Sequence, residues 1–362
     1  MSKKSELKKH RKETLPQIHY TNVYIDGTIE TKQGYFTKTF VYSETIDFNK
    51  DVVGADTINN VLDILSNDTL FKFDKELTYF SGCYYLTLGV KANSYEESVK
   101  IFSDVLLDRF VCLTFVEKMN LLHEMYQNDD KFEERFHEFA NEKKMSKKIK
   151  TQLGSKLNVT DIYSESYPLE ERLKMFKKNG KISKDLILPV EFVSTATEME
   201  FEGNYMRLFY LKNMPKYITK EFIEDILKIK NVSFSLYFKK LDQNEICEYT
   251  KERFADDKEL KSSELRQKIF FETVRPELKR SANMGETMLL ASLVIGVTND
   301  SITELDKETK KYEKFFEELY VLKSLKYQQK QAFNSLLPFC NETLNIKNVI
   351  FYKNELEVEE DV

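Results

Sequence analysis

Short segments of alternating apolar and polar residues are the main pattern of this chain, and they predict β-strands with one buried face. The clearest is VSFSLYF at 232–238, where every second residue from Val232 onwards is apolar. Ser233, Ser235 and Tyr237 should then lie on the outer face of the sheet. The run at 288–297 is apolar almost throughout, which predicts a central strand covered on both faces. Similar patterns predict a hairpin within 22–44 and strands at 70–73, 83–90, 111–115, 205–211 and 321–325.

Helices with recognisable N-terminal caps separate these strands. Ser94 with Glu97, and Ser301 with Glu304, have the spacing of capping boxes. Thr219 is the expected N-cap of a third helix. The helix after Ser301 should present an apolar face made of Ile302, Leu305, Tyr312, Phe315, Phe316 and Leu319.

The order of these elements predicts an α+β protein with antiparallel or mixed sheets and packed helices. The second half follows the order strand, helix, strand, insertion, strand, helix, strand, which is typical of a split βαβ or ferredoxin-like unit. A similar order in the first half predicts two such units. We expect a basic flexible tail (1–17), a first α+β unit (18–115), a charged helical connector (116–188), a second unit (189–340) with a helical insertion (244–283), and an acidic C-terminal segment (341–362).

Charge and composition restrict the classes of function. The chain has 60 acidic and 55 basic residues and a net charge of −5, so it has no global field that would attract nucleic acid or anionic lipid. The basic amino terminus is a local exception that suits an anionic membrane surface. Four widely spaced cysteines without a CxxC motif predict reduced thiols in an intracellular protein. The apolar run at 288–297 is about half as long as a membrane span.

Sequence motifs of common enzymes are missing. His123-Glu124 and His137-Glu138 begin like the zinc motif HExxH, but neither has the second histidine. The sequence also contains no GxSxG and no GxGxxG. We therefore predict no catalytic, cofactor-binding or metal-binding residue in this chain.

Five segments resemble, in order, the amino-terminal half of the large ATPases that power conjugation and type IV secretion. They are LTFVEKMNLLHEMYQ (113–127), GKISKDLILP (180–189), GNYMRLFYLKNMPKYITKEFIEDILKIKNVSFSLYFKKLD (203–242), MLLASLVIGVTNDSITEL (288–305) and YQQKQAFNSLLPF (327–339). The family is that of the TraC/CagE/TrbE (VirB-type) ATPases, in the form found on Gram-positive mobile elements. The resemblance covers residues 18–339. Its motif residues here are Arg207, Pro215, Gln331, Phe333, Ser335 and Pro338.

The resemblance implies a non-catalytic docking and assembly domain that lies in the cytoplasm at the inner face of the membrane. Its implied partners are a small membrane-embedded secretion component, other inner-membrane channel components, the motor's own ATPase domain and further copies of the motor. No GxxxxGK[ST] phosphate loop is present, so ATP and magnesium are expected only in a carboxyl-terminal domain outside this chain. The chain is then either a truncation of a longer motor or a standalone paralogue.

A second interpretation is a standalone α+β module that binds single-stranded nucleic acid. Aromatic and basic residues alternate in MRLFYLK and SLYFKK, as on a base-stacking platform. Its residues would be Arg207, Tyr210, Tyr237, Lys239 and Lys240. The sequence favours a simpler explanation, in which Tyr237 is an ordinary outer-face residue of a half-buried strand.

Overall fold

The fold is an α+β structure in which thirteen strands form one antiparallel sheet and six α-helices pack on it, within the residues that the structure describes. These residues are 20–43, 55–127, 187, 192–241, 286–341, 343–344 and 348–353, without positions 25, 32, 33, 106, 108, 202, 318, 319 and 321, and they come from a computed structural model. The predicted α+β class with antiparallel pairing is confirmed.

The first half begins with a three-stranded meander and continues with a helix, two strands, a helix, a strand and a final helix. Its elements are β1 (Tyr20–Val23), β2 (Ile29–Thr31), β3 (Tyr35–Tyr42), α1 (Ala55–Ser66), β4 (Asp74–Phe80), β5 (Cys83–Lys91), α2 (Tyr95–Ser103), β6 (Phe110–Cys112) and α3 (Phe115–Gln127).

The second half repeats this order of elements and adds one strand. Its elements are β7 (Phe192–Ser194), β8 (Met199–Phe201), β9 (Asn204–Leu211), α4 (Lys220–Leu227), β10 (Val232–Lys240), β11 (Glu286–Asn299), α5 (Ile302–Glu317), β12 (Leu322–Ser324), α6 (Gln329–Leu336) and β13 (Asn348–Lys353).

The two halves also share one strand order. The sheet runs β6-β3-β5-β4 in the first half and β12-β9-β11-β10 in the second, with all neighbours antiparallel. Strands β4 and β10 then pair with each other, with Leu77 opposite Leu236, and join the halves into a single sheet. The assignment of the halves to separate ferredoxin-like units stays a prediction.

Both faces of the sheet are buried. Helices α1, α2, α4 and α5 pack on the side that carries Phe234 and Leu236, which we call the four-helix face. Helices α3 and α6 pack on the side that carries Leu208 and Val294, the two-helix face. Ser233 and Ser235 point to this second face and are only 5% and 2% exposed. The expectation that they face solvent was wrong, because α3 and α6 cover them.

Two of the predicted helix caps, at Ser94 and Thr219, are formed. The Ser94 hydroxyl accepts a hydrogen bond from the Glu97 amide at 3.2 Å, and the Thr219 hydroxyl accepts one from the Phe222 amide at 3.3 Å. These local side-chain bonds satisfy amides that the helix itself leaves without partners. They fix where α2 and α4 begin.

Several expected boundaries differ from the structure. The strand expected at 70–73 begins at Asp74. Residues 116–127 of the expected charged connector belong to α3, whose apolar side chains are part of the core. Residues 348–353 of the expected acidic C-terminal segment form β13, which pairs with β11. In α5, Ile302 and Phe315 are about 40% exposed rather than buried.

Other predictions fall outside the described residues. They concern the basic tail at 1–17, the rest of the connector at 128–186, the helical insertion at 244–283, and the side chain of Leu319.

Candidate functional site

Arg207, a family-motif residue on β9, holds α5 to the sheet. Its guanidinium donates to Glu198 at 3.1 Å and to the Thr309 hydroxyl at 2.9 Å, and it pairs with Asp306 at 2.7 Å. Asp306 and Thr309 lie on α5, and Glu198 directly precedes β8. A planar guanidinium can bond several acceptors at once, so Arg207 ties three segments together.

The motif residues from Gln331 to Pro338 form α6 and the turn that follows it. The Phe333 ring is fully buried and packs 4.9 Å from Tyr126 of α3, measured between ring centroids. The Ser335 hydroxyl lies 2.7 Å from the Thr343 hydroxyl, which also bonds the Gln331 carbonyl at 2.6 Å. These contacts fasten α6 to the chain that follows it.

The six motif residues do not form one site. Gln331, Phe333, Ser335 and Pro338 lie together on the two-helix face. Arg207 points to the four-helix face, and Pro215 is half-buried in the loop between β9 and α4.

A row of polar side chains crosses the two-helix face in register, and sequence reasoning missed it. The row consists of Thr39, Thr87, Glu76, Tyr237 and Ser292, one from each of the adjacent strands β3, β5, β4, β10 and β11. Glu76 is 1% exposed. A buried carboxyl needs hydrogen-bond partners to offset its loss of hydration.

Glu76 finds these partners in the second half of the chain. Its carboxyl accepts a hydrogen bond from the Ser235 hydroxyl at 2.5 Å and another from the Cys340 amide. Burial raises the pKa of Glu76 to about 7, although the bonds from Ser235 and Cys340 oppose the rise.

Lys118 of α3 is the basic counterpart of Glu76. Its ammonium, 1% exposed, donates to the Thr39 hydroxyl at 2.7 Å and to the Pro338 carbonyl at 2.8 Å. Burial lowers the pKa of Lys118 to about 7, and the charge of Glu76 opposes this shift. Burial therefore favours the neutral form of both groups, while the charge of each favours the charged form of the other.

Cys340 completes the polar cluster, which we define as Glu76, Lys118, Ser235, Thr39, Thr87 and Cys340. Its thiol donates to the Thr87 carbonyl at 3.1 Å, and burial raises its pKa well above the ordinary value. Its backbone has φ 50°, in the left-handed region. A Cβ at Gly89 would lie 2.9 Å from the Cys340 Cβ, so glycine is needed there. The cluster fastens residues 337–340 to the first half.

An acidic cleft of about 640 Å³ opens where β4, β10 and β11 meet the ends of α3 and α5. Its walls are partly apolar and include Phe80, Met125, Tyr126, Phe201, Met206 and Val232. Four carboxylates line it, from Glu124, Asp300, Glu304 and Glu308, and Lys230 is the one basic residue among the described residues around it.

The residues of the suggested base-stacking platform are divided between the two faces. Arg207 and Lys240 belong to the four-helix face, where the Lys240 ammonium lies 5.1 Å from the Phe71 ring centroid. Tyr210 and Tyr237 belong to the two-helix face. Burial and the nearby Asp74 carboxylate raise the pKa of Tyr237 above its ordinary range. These residues do not form a shared stacking surface.

The remaining candidates from the sequence lie in the core or outside the described residues. His123 is fully buried on α3, and His137 and Cys247 are not described. Cys83, Cys112 and Cys340 are free thiols. Within the described ranges, no three His, Cys, Asp or Glu side chains are grouped as a metal site would require. No helix in this part of the chain is long and apolar enough to cross a bilayer.

No protein-family model matches the chain, and no curated protein matches it.

Proposed function

We propose that this chain is a non-catalytic docking and assembly domain of a conjugative type IV secretion ATPase. The domain would position the motor at the inner face of the membrane channel. The proposal rests first on the ordered resemblance of five segments to that family. Four of them correspond to described elements: α3, the β9-α4-β10 unit, β11 with the start of α5, and α6.

One observation supports the proposal most directly: two of these segments, distant in sequence, pack against each other. The Tyr126 ring of α3 contacts the Phe333 ring of α6 at 4.9 Å. Lys118 of α3 bonds the Pro338 carbonyl across 220 residues of sequence. Residues that carry the resemblance therefore stabilise one shared core, as expected if the segments belong to a single inherited domain.

Docking requires a surface that partners can reach, and the acidic cleft is such a surface. It is bounded by α3, β9, β10, β11 and α5, so three of the resembling segments contribute to it. The partners we propose are small membrane-embedded channel components and the ATPase domain of the motor. The protein would lie in the cytoplasm, peripheral to the membrane.

Gene replacement in the native host tests this proposal. The gene is deleted and then restored in trans, and conjugative transfer to a recipient is counted. We expect transfer to be lost on deletion and recovered on restoration. We also expect the protein in the membrane fraction only when the other components of the same element are expressed. Normal transfer without the gene would refute the proposal.

A biochemical control accompanies the genetic test. The purified 362-residue chain should release no phosphate from ATP above the level of a buffer blank. Turnover that disappears when one of the chain's own residues is changed would contradict the non-catalytic assignment.

A further inference from the structure

The acidic cleft has the chemistry of a peptide-binding site. It combines a volume of about 640 Å³ with apolar walls and a charged rim. Concave sites of this size are where proteins bind ligands, and this one combines apolar wall segments with polar and charged groups. Met125 and Met206 lie in its walls, and methionine side chains adapt to irregular apolar partners.

Acidic residues reach the rim of the cleft from three separate elements. Glu124 lies in the last turn of α3, Asp300 lies between β11 and α5, and Glu304 and Glu308 lie one turn apart on α5. Lys230 is the one basic residue among the described residues that line the cleft. The lining therefore favours a ligand that carries positive charge.

At two places on the rim, these carboxylates carry an electrostatic cost. A carboxylate in the last turn of a helix faces the negative end of its dipole, and α3 has no basic residue in that turn. Like charges at i and i+4, such as Glu304 and Glu308, disfavour a helix. Lys307 pairs with Glu304 at 2.5 Å and compensates part of this cost. A bound cation would favour both positions.

The cleft wall also includes Tyr126, which carries a buried polar group. The Tyr126 hydroxyl is buried and has no hydrogen-bond partner in the described part of the chain. A buried hydroxyl without a partner costs free energy, which a ligand carbonyl would recover. Asn204, Asn231 and Asn299 add amide groups around the opening that can bond a peptide backbone.

We propose that the cleft binds a basic, amphipathic peptide segment of a protein partner. Its apolar side chains would pack on Phe80, Met206 and Val232, and its lysine or arginine groups would pair with Asp300 and Glu308. This inference rests on the proposed docking function, because the inference specifies the chemistry of the segment that would dock. The acidic rim would repel nucleic acid.

A single-tryptophan reporter tests binding directly, because the chain contains no tryptophan. Phe80→Trp places the reporter in the cleft, and Phe315→Trp places a matched reporter on the outer side of α5, at a position 40% exposed. Each variant is titrated with a short synthetic amphipathic peptide of leucine and lysine. We expect a saturable blue shift at position 80 that weakens with added salt, and no shift at position 315.

Charge-neutral variants test the role of the rim. Asp300→Asn with Glu308→Gln should weaken binding of the lysine peptide about tenfold, from two partly exposed ion pairs. The control, Glu221→Gln with Glu313→Gln, removes the same charge away from the cleft and should bind as the wild-type protein does. The affinity of the wild-type protein is also measured by the fluorescence anisotropy of a labelled lysine peptide. This measurement does not depend on the folding of a tryptophan variant.

Several results would overturn the inference. A leucine-glutamate peptide that binds as tightly as the leucine-lysine peptide would do so, as would equal peptide affinity of the two double variants. A blue shift in the fluorescence of the Phe80→Trp variant caused by single-stranded DNA would also contradict it. A blue shift that depends on protein concentration alone would indicate a second copy of the chain as the occupant. Loss of peptide binding with transfer still dependent on the gene would refute the cleft inference only. Peptide binding with gene-independent transfer would refute the proposed function only.

Discussion

Replacement of Glu76 by glutamine should change the pH dependence of stability. The pKa of this buried carboxyl rises from its ordinary 4.5 to about 7, which corresponds to about 3 kcal/mol of differential stability. Between pH 4.5 and 7 the unfolded chain releases this proton, whereas the folded chain keeps it. The contribution of Glu76 to stability is therefore full below pH 4.5 and lost as the pH rises to 7.

Glutamine cannot ionise, so the Glu76→Gln variant should lack this decline. At low pH it should be less stable than the wild-type protein by about 1–3 kcal/mol, because its amide nitrogen cannot accept the Cys340 N–H bond. That deficit should shrink to about zero, or reverse, by pH 7. The opposite trend is expected at Lys118, whose pKa falls to about 7: wild-type stability relative to Lys118→Met should rise above pH 7.

Urea unfolding at a series of pH values measures these differences. Far-ultraviolet circular dichroism is the appropriate signal because the chain has no tryptophan. Glu313→Gln, a change of the same kind on the outer part of α5, is the matched control, and the pH trend of Glu76→Gln is read as the difference between the two variants. If the deficit of Glu76→Gln stays constant between pH 4.5 and 7, Glu76 does not titrate in the buried environment described here.

Two further changes test the packing of α6 on the sheet and the ion pairs of Arg207. Gly296→Ala should cost about 1–3 kcal/mol in urea unfolding, because the new Cβ would lie 2.8 Å from the Ser233 hydroxyl and 3.2 Å from Leu336. The cost should be smaller when Ser233 is also alanine, and an unchanged midpoint would show that α6 does not pack this closely. Arg207→Lys should lower stability by about 1–2 kcal/mol in thermal unfolding, since lysine cannot match the planar fork that bonds Glu198 and Asp306. Lys228→Ala, at an exposed ion pair, should lower stability less than Arg207→Lys does, and equal effects would contradict a stabilising role of the Arg207 ion pairs.

Local features of the fold could be predicted because they depend on neighbours in sequence. The Ser94 and Thr219 caps each act on an amide three residues away. The apolar run in β11 indicated a strand covered on both faces, and the described strand has that burial. All the residues that determine these features are close together in the sequence.

The polar cluster could not be predicted because its members are typical surface residues with distant partners. Glutamate and lysine are rarely buried. Lys75 and Glu76 therefore interrupt the pattern expected of a buried strand at β4, and Lys118 made α3 resemble an exposed connector. The Cys340 amide that bonds Glu76 lies 264 residues away. The alternation pattern placed Ser233 and Ser235 on the correct face of the sheet. That face is buried because α3 and α6, which are distant in sequence, cover it.

The pairing of β4 with β10 has a consequence for synthesis on the ribosome. Ser235 follows Glu76 by 159 residues, roughly 8–30 s of translation. During that interval β4 is an unpaired edge strand, open to foreign strands. Lys75 can already bond the Leu65 carbonyl within the first half, whereas Glu76 still lacks both of its donors. Its exposed charge would act as a gatekeeper that discourages aggregation until the native partner strand arrives.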